Sequence, residues 1–293
     1  MRVVVTGGAG FLGVAFAARA RAAGHAVMTV DRQGEVDRRC DVGDPAAVAA
    51  AIAALDPEVV VHLAAMLTDD AAADPIMATR VNALGTAVVF DAAARAGAGR
   101  VIYASSVAAV GDCAEGSGDD VELSPRSVYG VTKAFGEHLA RALSGVPAGP
   151  CFVVLRFGWV YGPGRERGWR VAQEVVERFQ RGDAKVPYPD FPAPMDWTYV
   201  DDAAEVLLRA VERPLARYSA FNVLGDRRRM REAVEHLRRR FPSVEAQPFP
   251  ASTPPSAWGL RNDGVAAALG FVPATRLEDG IDAMLAAQQP GGT

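Results

Sequence analysis

Lysine is nearly missing from this sequence. Of its 31 basic residues only Lys133 and Lys185 are lysines, so any role that needs an ammonium group has two candidates. Cysteine is scarce too: Cys40, Cys113 and Cys151 lie far apart with no CxxC pair. That argues against a disulfide framework or a zinc cluster and predicts free thiols in a reducing cytoplasm. No pair of the four histidines has metal-ligand spacing, and no catalytic metal is expected. No run approaches the apolar length of a membrane span, and a strand beginning at residue two leaves no room for a signal peptide. The expectation is a cytoplasmic protein with no membrane partner. A formal charge of -4 and a pI near 5.7 give no basic footprint, which excludes nucleic acid as an expected partner.

What is present is apolar mass and punctuation. Half of the 293 residues are apolar, enough for one large α/β domain or two lobes sharing a sheet. The chain is organised around its first thirty-one residues. Arg2 to Thr6 is a short apolar run, followed at once by Gly7-Gly8-Ala9-Gly10-Phe11-Leu12-Gly13 and a proline-free, Ala/Arg-rich stretch to Ala23. His25 to Val30 makes a second strand, closed by Asp31. Strand, glycine turn, helix, strand and acid fit a dinucleotide-binding βαβ unit. The glycines admit positive φ and close approach of backbone to a pyrophosphate, and the helix start points unpaired N–H groups at that anion. Asp31 would accept hydrogen bonds from the ribose hydroxyls and repel a 2′-phosphate, which favours NAD over NADP; Arg32 beside it pulls the other way.

Downstream, Asp44-Pro45 and Asp74-Pro75 each read as an N-cap followed by proline at the first helical position. The first opens a helix to Leu55 and the second a long helix to about Ala96. Between them Val59 to Leu63 is a buried strand, and Arg100 to Ala104 is another, ending in Ser105-Ser106. An acidic loop over 112–126 precedes a helix from Tyr129 to about Leu143. Such a loop is more often a plain connection than a lid, though it lies on the side where a lid would close. Cys151 to Arg156 is a further strand. This alternation predicts a doubly wound parallel sheet with helices on both faces. After Tyr161-Gly162-Pro163-Gly164 the regularity fails. The expected elements are a helix at about Val171–Arg181, a proline-rich passage over 187–194, a strand around Trp197–Val200, a helix over 201–213, a short strand at 221–224, and helices near 228–241, 263–269 and 277–287. The expected architecture is α/β: a Rossmann sheet domain over 1–157, to which 197–224 returns, and a smaller, mostly helical substrate domain from 158–196 and 225–293.

Tyr129-Gly130-Val131-Thr132-Lys133 places a phenol and an ammonium four residues apart, on one face of a helix. Ser106 ends a neighbouring strand, and in a doubly wound sheet ligands sit at the strands' carboxyl ends, where these groups and the glycine turn would converge. A phenol with an unperturbed pKa of about 10 is a poor base at neutral pH. Lys133 and the positive charge of an oxidised nicotinamide would favour the phenolate. Tyr129 would then take a carbinol proton while hydride leaves for the cofactor, with Ser106 holding the same substrate oxygen.

TGGAGFLG at 6–13, the acid at Asp31, Asp41-Val42, HLAA at 62–65, VN..GT at 81–86, the serine pair, YGVTK, LRFGWVYGPG at 155–164 and DWTYVDDAA at 196–204 resemble the extended short-chain dehydrogenase/reductases, the NAD-dependent epimerase/dehydratase group. The resemblance covers most of the chain in the right order. It implies that Ser106, Tyr129 and Lys133 are catalytic, that Asp41 and Val42 flank the adenine, and that Leu63, Ala64 and Ala65 line the cofactor cleft. It further implies that Asn82 steadies the helix or a proton-relay water, and that a homodimer forms through the helices carrying Asn82 and Tyr129.

Where the chain departs from that pattern, the departures concern substrate. Trp159 stands where nucleotide-sugar enzymes usually carry asparagine, and Met195 where an arginine commonly precedes the Asp-aromatic pair. Val110 replaces a frequent tyrosine. Val107, next to Ser106, replaces part of a Thr-Asp-Glu dehydratase set, so a 4,6-dehydratase lacks its acid. Arg165 and Arg167 after the glycine turn are candidates to meet an anionic substrate. Trp159 is expected to face the pocket, whereas Trp169, Trp197 and Trp258 are expected in the core. His62 is expected to be a structural or cofactor-loop residue, and His25, His138 and His236 to lie at the surface. The function expected is hydride transfer between NAD and a secondary alcohol or ketone of a small polar, sugar-like or hydroxy-acid substrate. The alternatives are a nucleotide-sugar epimerase with tightly bound NAD and a non-catalytic NAD-binding protein.

Overall fold

The computed structural model describes residues 1–168, 170–251 and 259–287, so the expectations placed on Trp169 and Trp258 lie outside the described residues. Along the chain run β1 (Arg2–Thr6), α1 (Phe11–Ala22), β2 (Ala26–Asp31), β3 (Arg38–Arg39), α2 (Pro45–Ala53), β4 (Val59–His62), α3 (Thr68–Ala73) and α4 (Pro75–Ala78). A π-helical turn (Thr79–Leu84) leads into α5 (Gly85–Arg95), then β5 (Arg100–Ser106), a 3-10 turn (Val107–Ala109), α6 (Val128–Ser144), β6 (Cys151–Phe157), β7 (Trp159–Tyr161) and α7 (Val171–Arg181). The remainder is β8 (Lys185–Asp190), β9 (Met195–Tyr199), α8 (Val200–Glu212), β10 (Tyr218–Val223), β11 (Asp226–Arg228), α9 (Met230–Arg240), β12 (Glu245–Pro250), α10 (Asp263–Leu269) and α11 (Leu277–Ala287).

The caps behave as their chemistry dictates. Asp44 accepts from the N–H of Ala46 and Ala47 at 3.0 and 3.1 Å, and Asp74 from Met77 at 2.9 Å. Seven parallel strands form the main sheet in the order β10-β6-β5-β4-β1-β2-β3. Its central strands are buried on both faces, which is why they read as unbroken Val/Ile runs. On one face α1 and α8 contribute Phe16, Ala20, Leu207 and Val211 to a core with Val3, Val5 and Ile102. On the other, α2, α5 and α6 close over Val4, Val60 and Val101 with Ile52, Phe90 and Ala140. The doubly wound parallel sheet is therefore present as expected.

Four assignments change. The strand expected at 197–200 is Met195–Tyr199, and it joins not the main sheet but a three-stranded sheet in the order β11-β9-β7. The return to the main sheet is made by α8 and β10. Helix α10, expected in the substrate domain, packs Val265 and Leu269 into the main core beside Phe221. The helices α7, α9 and α11 instead surround a separate core of Tyr161, Phe179, Trp197, Tyr199, Leu237 and Ile281. The proline-rich passage holds a strand, β8, paired in parallel with β12.

The long helix expected from Asp74 is interrupted by the π turn. The acidic loop over 112–126 is pinned, not hinged: Gly116 N donates to Gly259 O at 2.6 Å, Arg261 N to Ser117 O at 2.9 Å, and Asn222 N to the Asp119 carboxylate at 2.7 Å. Among the described residues no helix is long and apolar enough to cross a membrane, and no cluster of three His, Cys, Asp or Glu side chains is placed to hold a metal ion.

Candidate active site

At the carboxyl ends of the strands the glycine turn leaves β1 and enters α1. Gly7 sits at φ +74°, and a Cβ there would lie 2.5 Å from the Ala64 nitrogen. A Cβ on Gly13 would meet backbone as well, 3.0 Å from the Gly7 carbonyl carbon, so neither position tolerates a side chain. No side chain caps α1 and its first turn carries no acid; Gly10 N donates to Gly7 O at 3.0 Å, and the N–H groups of Phe11 and Leu12 at the helix start are left uncapped. A helix start of this kind fits a pyrophosphate. Asp31 ends β2 half-buried, its two carboxylate oxygens accepting from Ala9 N at 3.2 Å and Gln33 N at 3.3 Å. Arg32 is exposed. Asp41 is exposed and accepts from Gly43 N at 2.8 Å, while Val42 is buried against Gly85 of α5. Leu63, Ala64 and Ala65 are half-buried as they leave β4, with Leu63 N donating to Thr6 O at 3.0 Å. These residues fit a dinucleotide from adenine to pyrophosphate.

Beyond the glycine turn lie Ser106, Tyr129 and Lys133. Ser127 caps α6 through Gly130 N at 3.0 Å, and the helix seats closely on the turn after β5, where a Cβ on Gly130 would strike the Ala108 carbonyl. Tyr129 is thereby brought near Ser106, whose hydroxyl accepts from Ala108 N at 3.2 Å and acts to lower the pKa of the phenol. Lys133 is buried one turn on, its Nζ 5.6 Å from the Tyr129 ring centroid and 5.0 Å from that of Tyr103, donating to Ala104 O at 2.7 Å. Burial pushes the Tyr129 phenol up to about 12, against the pull of the Ser106 hydroxyl and the Arg165 guanidinium. Burial also pulls Lys133 down to about 7, opposed by the Glu137 carboxylate. Arg165 is thus a second cation, beside Lys133, that acts on the phenol, a tie that sequence did not show. Arg165 is half-buried, lies over the Phe11 ring at 5.5 Å, donates to Val160 O at 2.5 Å, and has a buried Nε with no protein partner among the described residues.

Other expectations resolve as follows. Asn82, in the π turn, accepts from Met66 N at 2.7 Å and donates to Met66 O at 3.0 Å and Thr132 Oγ1 at 3.1 Å. It braces the strand-end loop against α6 and does not touch Tyr129 through any of these bonds. Val107 packs toward Val110, Leu224 and Leu260. Trp159 is half-buried with its ring 4.5 Å from that of Trp197, so much of it belongs to the second core. Arg167 reaches the opposite bank: with its amide oxygen turned toward the guanidinium, Gln33 accepts from both terminal nitrogens at 3.1 and 3.3 Å.

His62 is buried, between Thr6 Oγ1 at 2.7 Å and Thr86 Oγ1 at 2.9 Å. His25 and His236 are not free surface groups. His25 contacts Glu212 at 3.1 Å, and His236 meets Asp282 at 2.6 Å. Sequence reasoning missed Glu137 and Arg156, a buried ion pair at 2.8 Å behind the site. The signal was there: an arginine inside the apolar strand CFVVLRF, and a glutamate four residues past Lys133 on the same helix face.

A Rossmann sheet with a glycine turn after β1, an acid at the end of β2 and a Ser, Tyr and Lys at the strand ends defines a short-chain dehydrogenase/reductase. The description "NAD dependent epimerase/dehydratase family" matches residues 3–223, and the chain belongs to that family, the extended branch of these enzymes; it is an enzyme and its cofactor is NAD. It is 27% identical over 307 residues to the UDP-glucose 4-epimerase of Mycolicibacterium smegmatis, with 96% of each chain covered. It is 31% identical over 301 residues to a 3-diazoavenalumate denitrifying reductase of a Streptomyces species, covering 93% of this chain and 96% of the relative. The solved structure of MoeE5 in complex with UDP-glucuronic acid and NAD superposes with a TM-score of 0.87 at 25% identity over 99% of both chains.

Proposed function

We propose that this enzyme transfers hydride between NAD and a secondary alcohol or ketone of a small polar substrate, with Tyr129 as acid/base, Ser106 as the donor that fixes the substrate oxygen, and Lys133 as the neighbouring cation. The observation that carries it is the buried Lys133 ammonium 5.6 Å from the Tyr129 ring centroid, one helical turn along α6, with Ser106 at the end of the adjoining strand β5. NAD, when bound, supplies the hydride acceptor and a positive charge next to the phenol. Tyr129 begins as a very weak acid because burial disfavours its anion. Arg165, Lys133 and the Ser106 hydroxyl are the protein's means of stabilising that anion once a carbinol proton is to be taken. The unpaired Nε of Arg165 is suited to an anionic group on the substrate, a carboxylate or a diphosphate oxygen. Asn82 acts by position, holding α6 and the loop after β4 at a fixed separation.

A second reading is supported by the Gln33–Arg167 bridge, which joins the loop after β2 to the loop after β7 across the crevice and favours retention of NAD through repeated oxidation and re-reduction, as in a sugar-nucleotide epimerase. Leu84, Val131 and Phe135 are 51%, 54% and 43% exposed on the π turn and α6, an apolar face suited to a second copy of the chain.

The test is a turnover screen of UDP-glucose, UDP-glucuronic acid and simple hydroxy acids, run on the wild type and Tyr129→Phe. NAD affinity should persist in the variant while turnover falls by at least about a hundredfold. Undiminished turnover would remove Tyr129 from the mechanism. Accumulation of NADH marks a dehydrogenase; substrate conversion without it marks an epimerase.

A further inference from the structure

Behind Lys133, one turn further along α6, Glu137 is 1% exposed. A carboxylate so deeply buried must be fully bonded to be tolerated. Its Oε1 accepts from Ser105 Oγ at 2.5 Å and from Arg156 Nε at 3.0 Å; its Oε2 accepts from Arg156 Nε at 3.0 Å and Nη2 at 2.8 Å. Ser105 is the residue before Ser106 on β5, and Arg156 lies on β6, 2% exposed. The remaining Arg156 nitrogen, Nη1, donates to Asp119 O at 2.8 Å and Asn222 Oδ1 at 3.4 Å. One side chain therefore fastens the helix bearing Tyr129 and Lys133 to the strand that ends in Ser106 and to the strand beside it. The fit between helix and sheet is close here, because a Cβ on Gly136 would come within 2.5 Å of the Tyr103 ring and hydroxyl.

The charges around Lys133 are few. Tyr129 and Glu137 face it from α6, Tyr103 and the Ala104 carbonyl from β5, and the uncharged His62 from β4. Arg156 on β6 is engaged with Glu137, and Arg165 acts on Tyr129 from the loop after β7. Glu137 is the carboxylate in this set.

We propose that Glu137 is a positioning residue for the Ser106–Tyr129–Lys133 group: it clamps α6 to β5 and β6 and sets its carboxylate one helical turn behind Lys133. The proposal rests on the catalytic reading above, because only there does the charge of Lys133 matter to a phenolate. A merely structural ion pair would hold the helix and leave the lysine's proton affinity unchanged.

With two lysines in the chain, the measurement is direct. The full-length protein is labelled with lysine carrying carbon-13 at Cε, and the two resonances are followed against pH, with exposed Lys185 as internal control. Glu137→Gln should lower the Lys133 midpoint by about one pH unit, a tenfold loss of proton affinity, with Lys185 unmoved. Glu137→Asp should restore most of it. Because Glu137→Gln strands a buried guanidinium, the double variant Glu137→Leu with Arg156→Met is measured alongside; it removes both charges, keeps the volume, and should show the same lowered midpoint in a stably folded protein. A Lys133 midpoint equal to that of the wild type in either folded variant overturns the proposal. The titration needs no substrate, so a failure of Tyr129→Phe to lose turnover would refute the catalytic reading separately, without altering what the lysine measurement says.

Discussion

His62 makes the protein sensitive to acid in a way that can be worked out from its contacts. Thr86 Oγ1 donates its proton to the Asn82 carbonyl at 2.5 Å, so toward the imidazole it can only accept, which places the ring proton on Nε2. Nδ1 must then accept from the Thr6 hydroxyl at 2.7 Å. A second ring proton would force the Thr6 hydroxyl to turn from donor to acceptor. It would also sit in a fully enclosed site, stacked on Tyr103 at 5.8 Å and near Lys133. Burial first, and the Lys133 charge second, pull the His62 pKa from 6.5 down to about 3. The unfolded chain takes up a proton below about pH 6.5 that the folded chain refuses until about pH 3. Stability contributed by neutral His62 is therefore intact above that window and lost progressively as pH falls through it. At about pH 5 the loss is about 2 kcal/mol, one and a half pH units at about 1.4 kcal/mol each. Urea unfolding of the wild type and His62→Gln at about pH 7 and about pH 5 isolates the term. The wild type should lose about 2 kcal/mol more than the variant over that interval. An identical loss in both would show that His62 protonates as readily in the folded protein as in the unfolded one, and the assigned hydrogen-bond pattern would be wrong.

Gly13→Ala places a methyl group against the Gly7 backbone, and relieving that clash should weaken NAD binding by at least about tenfold in a calorimetric titration while far-ultraviolet circular dichroism stays unchanged; wild-type affinity would show that the turn has slack. Asp196 is raised from 3.8 to about 6, by burial against the weaker pull of Arg227, so its carboxylate destabilises the fold as pH rises through that interval. Asp196→Asn should then be more stable than the wild type at about pH 8 by up to about 3 kcal/mol and no more stable at about pH 4, and a stability difference independent of pH would count against it. The wild type should sediment as a dimer, and Leu84→Glu combined with Phe135→Glu as a monomer with the fold intact; a monomeric wild type or an unaltered assembly would refute an interface on this face.

The parts of this architecture that sequence exposes are those governed by neighbours in the chain. The glycine turn, the Asp-Pro caps, the buried Val runs and the Tyr-to-Lys spacing are all local, and each took its expected place. What escaped depends on distant partners. The sequence points to a strand around Trp197–Val200 but not to its place at Met195–Tyr199, paired with Asp226–Arg228 and Trp159–Tyr161. The periodicity of α10 does not distinguish one core from the other. The π turn at Thr79–Leu84 leaves no pattern of its own; it coincides with Asn82 reaching Met66 and Thr132, bonds made across 16 and 50 residues. Likewise Arg165 is visible in sequence as a basic residue after a turn, but its pull on Tyr129 exists only once the loop folds back over Phe11.

The small sheet formed by β8 and β12 was hidden for a related reason, since Pro187, Pro189, Pro248 and Pro250 argue against a strand. The two segments nevertheless stay paired across six positions, Glu245 to Pro250 beside Lys185 to Asp190. Imino nitrogens spaced two apart on each strand fall on the outward rims, where no donor is needed. Neither rim can then template a third strand, from this molecule or a neighbour, and a ribbon with Phe249 46% exposed is sealed against edge-to-edge growth.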